Sequence, residues 1–187
     1  LSVRVAVIVP PAPIATPADI PGGNTDDALL LLMISAAQAE IDGPTGWLGR
    51  ALGPQTLELT ADEWPCELPY PPFLELVSAS VDGVLVPGIT VSSVGRLRVP
   101  DGAPAGEVVL RWRAGYDGTK TPAVPANAKA AVILSTNMLR SMNRDDVFIE
   151  QEQVNGVGST TWTVSKDVSE AIERTIGNLL APLRVWS

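Results

Sequence analysis

Apolar and polar positions change period several times along this chain. Val3-Arg4-Val5-Ala6-Val7-Ile8-Val9 is dominated by β-branched residues and reads as a strand-like stretch, which Pro10-Pro11 cuts off. From Pro10 to Gly23 the chain is mostly Pro, Ala and Gly, a composition that disfavours regular structure. Residues 1–24 are therefore expected to form an extended, Pro-rich N-terminal arm, either a linker or a strap laid on another subunit. Asn24 or Thr25 then offers an N-cap, with Asp26 and Asp27 where the helix dipole favours negative charge. Leu29, Leu30, Met33, Ile34, Ala37 and Ile41 repeat at helical spacing and predict a helix to about Ile41, ahead of Gly43-Pro44. Leu31 and Leu32 widen that stripe, which implies burial on more than one side, by other helices or by a neighbouring subunit.

The middle of the chain alternates instead. Leu57 and Leu59 lie between Thr56, Glu58 and Thr60, and Val108, Leu110 and Trp112 interleave with Glu107, Val109, Arg111 and Arg113. Asp82-Gly83 is the pair that a type I′ hairpin turn requires. Residues 55–116 thus predict short antiparallel strands between Pro- and Gly-rich turns. Helical spacing returns after Pro125, with Ala128, Ala131, Val132, Ser135, Met138, Leu139 and Met142 on one face. Residues 147–164 read as an extended hairpin tipped by Asn155-Gly156. Asp167 with Glu170 resembles a capping box, and Val168, Ala171, Ile172, Ile176, Leu179, Leu180 and Leu183 form the stripe of a last helix that Pro182 breaks.

The fold class expected is α+β: a small helical bundle with an inserted antiparallel β section and a C-terminal helix plus tail. One domain spans 25–187, with helices over 25–43, 125–143 and 167–182, the β insertion at 55–116 and the hairpin at 147–164. Residues 43–54 and 117–124 are the expected crossings between the helical and β parts.

Composition narrows the function. A chain of 187 residues with 45% hydrophobic and 18% charged positions excludes general disorder. Thirteen Lys and Arg against 21 Asp and Glu leave a charge of −8, which argues against a wholesale electrostatic grip on DNA. Histidine is absent, and with it the Ser-His-Asp triad, the Cys-His dyad and HExxH zinc sites. Cys66 stands alone, so no internal disulfide or CxxC knuckle can form. The longest apolar run, Ala28 to Ala37, is far short of the ~20 residues that span a bilayer, and the N-terminal apolar stretch is too short for a secretory signal. A soluble, non-catalytic protein without cofactor, metal or membrane is expected.

Local motifs add little chemistry. Gly156-Val157-Gly158 reads as a hairpin turn, and Gly118-Thr119-Lys120 lacks the upstream glycines of a phosphate loop. The acidic pairs Asp26-Asp27, Asp62-Glu63 and Asp145-Asp146 lack an EF-hand ligand series. Arg111, Arg113 and Lys120 form the densest basic stretch and read as solvated or paired with acids on a neighbour. The tail stands apart: Arg184, Val185 and Trp186 follow a helix-breaking proline, and they either pack back onto their own domain or dock into a partner.

An ordered set of segments resembles the phage head–tail connector family (adaptor or head-completion proteins), including the adaptor of gene transfer agents. It comprises Thr25-Asp26-Asp27-Ala28-Leu29 and the helix through Ala36-Ala37, Thr45-Gly46, Arg50-Ala51-Leu52 and Gln55-Thr56-Leu57-Glu58-Leu59. It continues with Leu68-Pro69-Tyr70-Pro71-Pro72-Phe73, Ala114-Gly115-Tyr116-Asp117, Val124-Pro125-Ala126 with Ala130-Ala131, and Leu179-Leu180-Ala181-Pro182-Leu183-Arg184-Val185-Trp186. The resemblance implies a structural protein of the particle neck. Such a protein forms a homo-oligomeric ring, normally dodecameric, between portal protein and stopper or tail, and DNA passes through it without sequence-specific binding. It further implies that Leu179, Leu180, Pro182, Leu183, Arg184, Val185 and Trp186 contact the portal, and within such a ring Leu31 and Leu32 are the expected subunit contact. Two features depart from the family: Pro17, Pro21 and Gly22-Gly23 stand where a longer first helix is common, and Leu183 stands where an aromatic is usual. The alternative expectation is a β-rich ligand- or glycan-binding module of a tail or cell surface, using Trp47, Trp64, Trp112 or Tyr70 as a stacking platform.

Overall fold

A computed structural model of the chain describes residues 3–142, 152–154, 158–160 and 166–185. It is a mixed α+β protein with three helices, a five-stranded antiparallel sheet and smaller two-stranded sheets among those residues. Two compact units divide the chain: one holds the residues up to Ile14, Ala39–Pro125 and those from Leu183 onward, and the other holds Ala15–Gln38 and Ala126–Pro182.

The first unit is built on the sheet. β1 (Val3–Val9), β2 (Gln55–Ala61), β3 (Phe73–Val81), β4 (Val84–Leu85) and β7 (Val108–Ala114) stand in the order β1-β2-β7-β3-β4. Alternation decides what each face does. Leu57, Leu59 and Ala61 of β2 and Val108, Leu110, Trp112 and Ala114 of β7 are each at most 1% exposed. Register brings Leu57 opposite Trp112 and Leu59 opposite Leu110, so one face of the sheet is dry. Leu68, half-buried Trp64 and Tyr70, and the short ribbon of β5 (Thr90–Val91) and β6 (Leu97–Arg98) pack against that core. Asp82 and Gly83 join β3 to β4 with φ of 49° and 79°, the two left-handed residues that a type I′ turn needs.

The opposite face is polar and pairs its charges across strands. Glu58 lies opposite Arg111, and Arg111 Nη2 donates to Glu58 Oε2 at 2.6 Å. Glu75 lies opposite Arg113, whose Nη1 donates to Glu75 Oε1 at 2.9 Å, and Lys120 donates to the other oxygen of Glu75. The basic stretch therefore finds its acids within its own sheet.

The Val-rich start of the chain is not a free arm. It pairs antiparallel with β2 from Val3 opposite Ala61 to Val9 opposite Thr56. The Pro-rich stretch after it is packed as well: Ile14, Ala15, Pro17 and Ile20 are buried, and Pro17–Asp19 makes a 3₁₀ turn. Asp19 binds Lys129 at 2.8 Å, and Arg140 Nη1 donates to the carbonyl of Pro21 at 2.9 Å. It is a strap, laid on its own chain. Prolines bar regular structure here, yet they do not bar burial of the apolar residues between them.

The second unit contains α1 (Ala28–Ala39), α2 (Ala126–Met142) and α3 (Lys166–Leu180). α1 starts later than expected because Asp27, not Asn24 or Thr25, is the cap: its Oδ1 accepts the Leu30 amide at 3.0 Å. The Asn24 side-chain Oδ1 is spent on the Asp26 amide at 3.1 Å. α1 also ends at Ala39, short of Ile41. On α2 the buried stripe is Ala128, Ala131, Val132 and Thr136, the last satisfied by donating to Val132 O at 2.7 Å. α2 and α3 pack together, and Asn127 Nδ2 donates to the Leu179 carbonyl at 2.7 Å. α3 stops before Pro182, and Ala181–Leu183 tightens into a 3₁₀ turn. β8 (Glu152–Val154) pairs antiparallel with β9 (Gly158–Thr160), while the tip Asn155-Gly156 and the Asp167 side chain lie outside the described residues.

The stretches 43–54 and 117–124, expected as crossings, belong to the sheet unit. Asp42 ties down the first of them. Its Oδ1 accepts the Leu52 amide at 2.7 Å and Gln55 Nε2 at 2.8 Å, and its Oδ2 accepts the Gly53 amide at 3.0 Å.

Candidate functional site

Two surfaces carry the features that sequence reasoning singled out. The first is the outward side of α1. Ala28, Leu29, Leu32, Ser35, Ala36 and Ala39 recur at the i, i+3, i+4 spacing of one helix face, and all are exposed. Leu29 is 51% exposed, Leu31 43% and Leu32 65%, and no charged residue stands on that face. Leu30, Ile34, Ala37 and Gln38 supply the buried side. Among the described residues nothing covers these surplus leucines.

The second surface is the C-terminal segment on the sheet unit. Asp42 pins the loop that presents Leu48, Gly49 and Arg50. Val185 N donates to Leu48 O at 3.0 Å, and Arg50 Nε donates to Leu183 O at 2.7 Å while its Nη1 donates to Tyr116 Oη at 3.1 Å. Arg184 lies over the Trp47 ring with its guanidinium carbon 5.5 Å from the centroid. Gly49 makes this approach feasible: its φ is 70°, and a Cβ there would meet Val185 O at 2.7 Å. The tail up to Val185 therefore lies against the chain's own sheet unit.

The residues named for portal contact are placed unequally. Pro182 and Arg184 are exposed, Leu179, Leu183 and Val185 are half-buried, and Leu180 is completely buried. Trp186 lies outside the described residues. The tail contacts of Arg50 and Leu48 were not singled out from sequence. Arg50 sits in a motif quoted for the family resemblance, but nothing local marks a partner 133 residues away.

Other candidates resolve into structure. Gly118-Thr119-Lys120 belongs to a turn closed by Asp117, whose Oδ1 accepts the amides of Thr119, Lys120 and Thr121 at 2.9–3.0 Å. Those amides are spent, so the turn offers no phosphate cradle. The Thr121 amide, then the amide and hydroxyl of Thr119, hold the Asp117 carboxyl far below the usual carboxylate range. Lys120, then Arg113, lowers the Glu75 carboxyl. Lys129, then the amide and hydroxyl of Thr16, brings Asp19 down to about 2.

Asp27 is a helix cap, Asp62 and Glu63 are exposed, and Asp145-Asp146 lie outside the described residues. Among the described residues no group of three or more His, Cys, Asp or Glu is arranged to hold a metal ion, and no helix is long and apolar enough to cross a membrane. Of the four aromatics proposed as a stacking platform, Trp112 is buried in the core, Trp64 and Tyr70 are half-buried against it, and Trp47 alone is exposed. The Trp64 indole donates to Pro104 O at 3.0 Å. No protein-family model matches the chain, and no curated protein matches it.

Proposed function

We propose that this protein is a structural adaptor of a phage or phage-like particle neck, a ring of identical copies joining the portal to the stopper or tail around the DNA channel. The reading includes a small helical bundle in each copy, about twelve copies to a ring by resemblance, and no catalysis. The observation that carries it is the uncharged, exposed face of α1. Three neighbouring leucines open to water are a costly surface for a lone chain and a ready contact between copies. The ordered family-like segments supply the portal and the neck, and the net charge of −8 suits a wall past which DNA must slide.

The portal-facing element in this reading is the tail 179–186, of which the exposed part begins at Ala181. Its contacts with the sheet unit include the bond from Arg50 Nε to Leu183 O, the bond from Val185 N to Leu48 O and the Arg184–Trp47 cation–π contact, and in this reading they are exchanged for contacts with the portal. Removing residues 182–187 spares Leu180 and the helix core. The truncated chain is expected to fold and to lose capture by the portal protein of the same particle in a pull-down. Full retention of capture overturns the portal role.

A further inference from the structure

The five-stranded sheet has two open edges, and they differ. β1 is paired with β2 on one side only, and no strand stands beside its other side among the described residues. Five of its seven residues are Val or Ile, it carries the single charge of Arg4, and no Pro or Gly lies within it. Edge strands ordinarily carry lysines, prolines or inward charges that block further pairing. β1 has one irregularity, between Val7 and Val9, at its end.

At the opposite side, β4 pairs with β3 only at Ser80 and Val81, and Val86 N donates to Ala79 O. Among the described residues no strand stands beside the outer edge of β3 from Phe73 to Ser78, a stretch whose register on β7 shifts between Phe73 and Glu75 and between Leu76 and Ser78. A groove of about 570 Å³ opens there between Leu76–Ala79 and Leu85–Ile89, with no charged residue in its lining. Val77 is 52% exposed and Leu85 72% at its rim.

We propose that the outer edge of β1 pairs antiparallel with the outer edge of β3 in a second copy of this chain, running the sheets of neighbouring copies together. Three features select that occupant. An open row of backbone amides and carbonyls is satisfied by another extended strand. The groove is uncharged, and Val5–Val9 enters it without desolvating a charge. Direction also agrees. β1 is antiparallel to β2, β2 to β7 and β7 to β3, so β1 of an identically oriented copy arrives antiparallel to β3. Strand and groove are different surfaces, so each copy offers one of each and the contact is head-to-tail, as a ring demands. The inference adds a second contact to the α1 face in the self-association proposed above and rests on that part of the reading alone.

Cys66 is free and exposed, so the test starts from full-length C66S. Chains carrying A6C and chains carrying V77C, differing in tag mass, are mixed and oxidised. The expected product is the mixed A6C–V77C dimer, in excess over both homotypic dimers. Predominant A6C–A6C product means β1 pairs with itself and overturns the inference, as does the absence of any cross-link, with or without portal protein. Independently, V77K is expected to weaken self-association in sedimentation by about tenfold with an unchanged circular dichroism spectrum; unchanged association also overturns it. Cross-linking without portal capture defeats the neck reading and leaves the edge contact standing, and portal capture without cross-linking does the reverse.

Discussion

Asp42 is a carboxylate 2% exposed to solvent, and it is tolerated because amides and an amide side chain surround it. Both of its oxygens are occupied, and it closes the loop on which the tail rests. Asp42→Ala leaves the Leu52 and Gly53 amides buried without that acceptor, and a loss of about 2–4 kcal/mol is expected in denaturant unfolding. Asp19 works at the surface. Its pKa falls from an ordinary 3.8 to about 2, so the ionised group stabilises the fold above pH 3.8, and that contribution fades as pH drops through about 2. The stability difference between wild type and Asp19→Asn is expected to be open at neutral pH and closed below about pH 2. Acid titrations of both proteins by circular dichroism measure it, and a difference that persists at the acid end contradicts the assignment.

At the scale of elements, α1 and the tail make separable predictions. Leu32 is 65% exposed, so Leu32→Glu is expected to change stability by no more than about 0.5 kcal/mol while abolishing self-association, read by light scattering. Arg50→Ala removes the donor to Leu183 O, and hydrogen exchange at the Val185 amide is expected to quicken by about tenfold. The elements themselves were largely legible. Alternation at Leu57, Leu59, Leu110 and Trp112 gave β2, β7 and the dry face, and Asp82-Gly83 gave its hairpin, because these signals are local. What escaped was non-local. Val3–Val9 reads as a strand, but nothing within it names Gln55–Ala61 as its neighbour. Thr136 is buried despite being polar, because its hydroxyl is satisfied by its own helix. Of the candidate interaction surfaces, the excess leucines of α1 were visible as a widened stripe. The tail's seat on Leu48, Gly49 and Arg50 was not, since it depends on a loop shaped by Asp42.

For the whole molecule, neither unit is a continuous piece of chain. The sheet unit takes its strands from both sides of α1, and the residues from Leu183 onward return to it after α3. Neighbours in the sheet are distant in sequence: β1 meets β2, β2 meets β7, and β7 meets β3. This arrangement has a consequence during synthesis. A ribosome releases β1 before β2, which at about 5–20 residues per second follows only some seconds later, with β7 later still. Throughout that interval the valine-rich nascent segment is bare on both flanks, and crowded polysomes translating the same message hold many such segments close together. Slower initiation or a holdase at the exit tunnel is therefore expected to raise the soluble yield of this protein more than any change in its finished core.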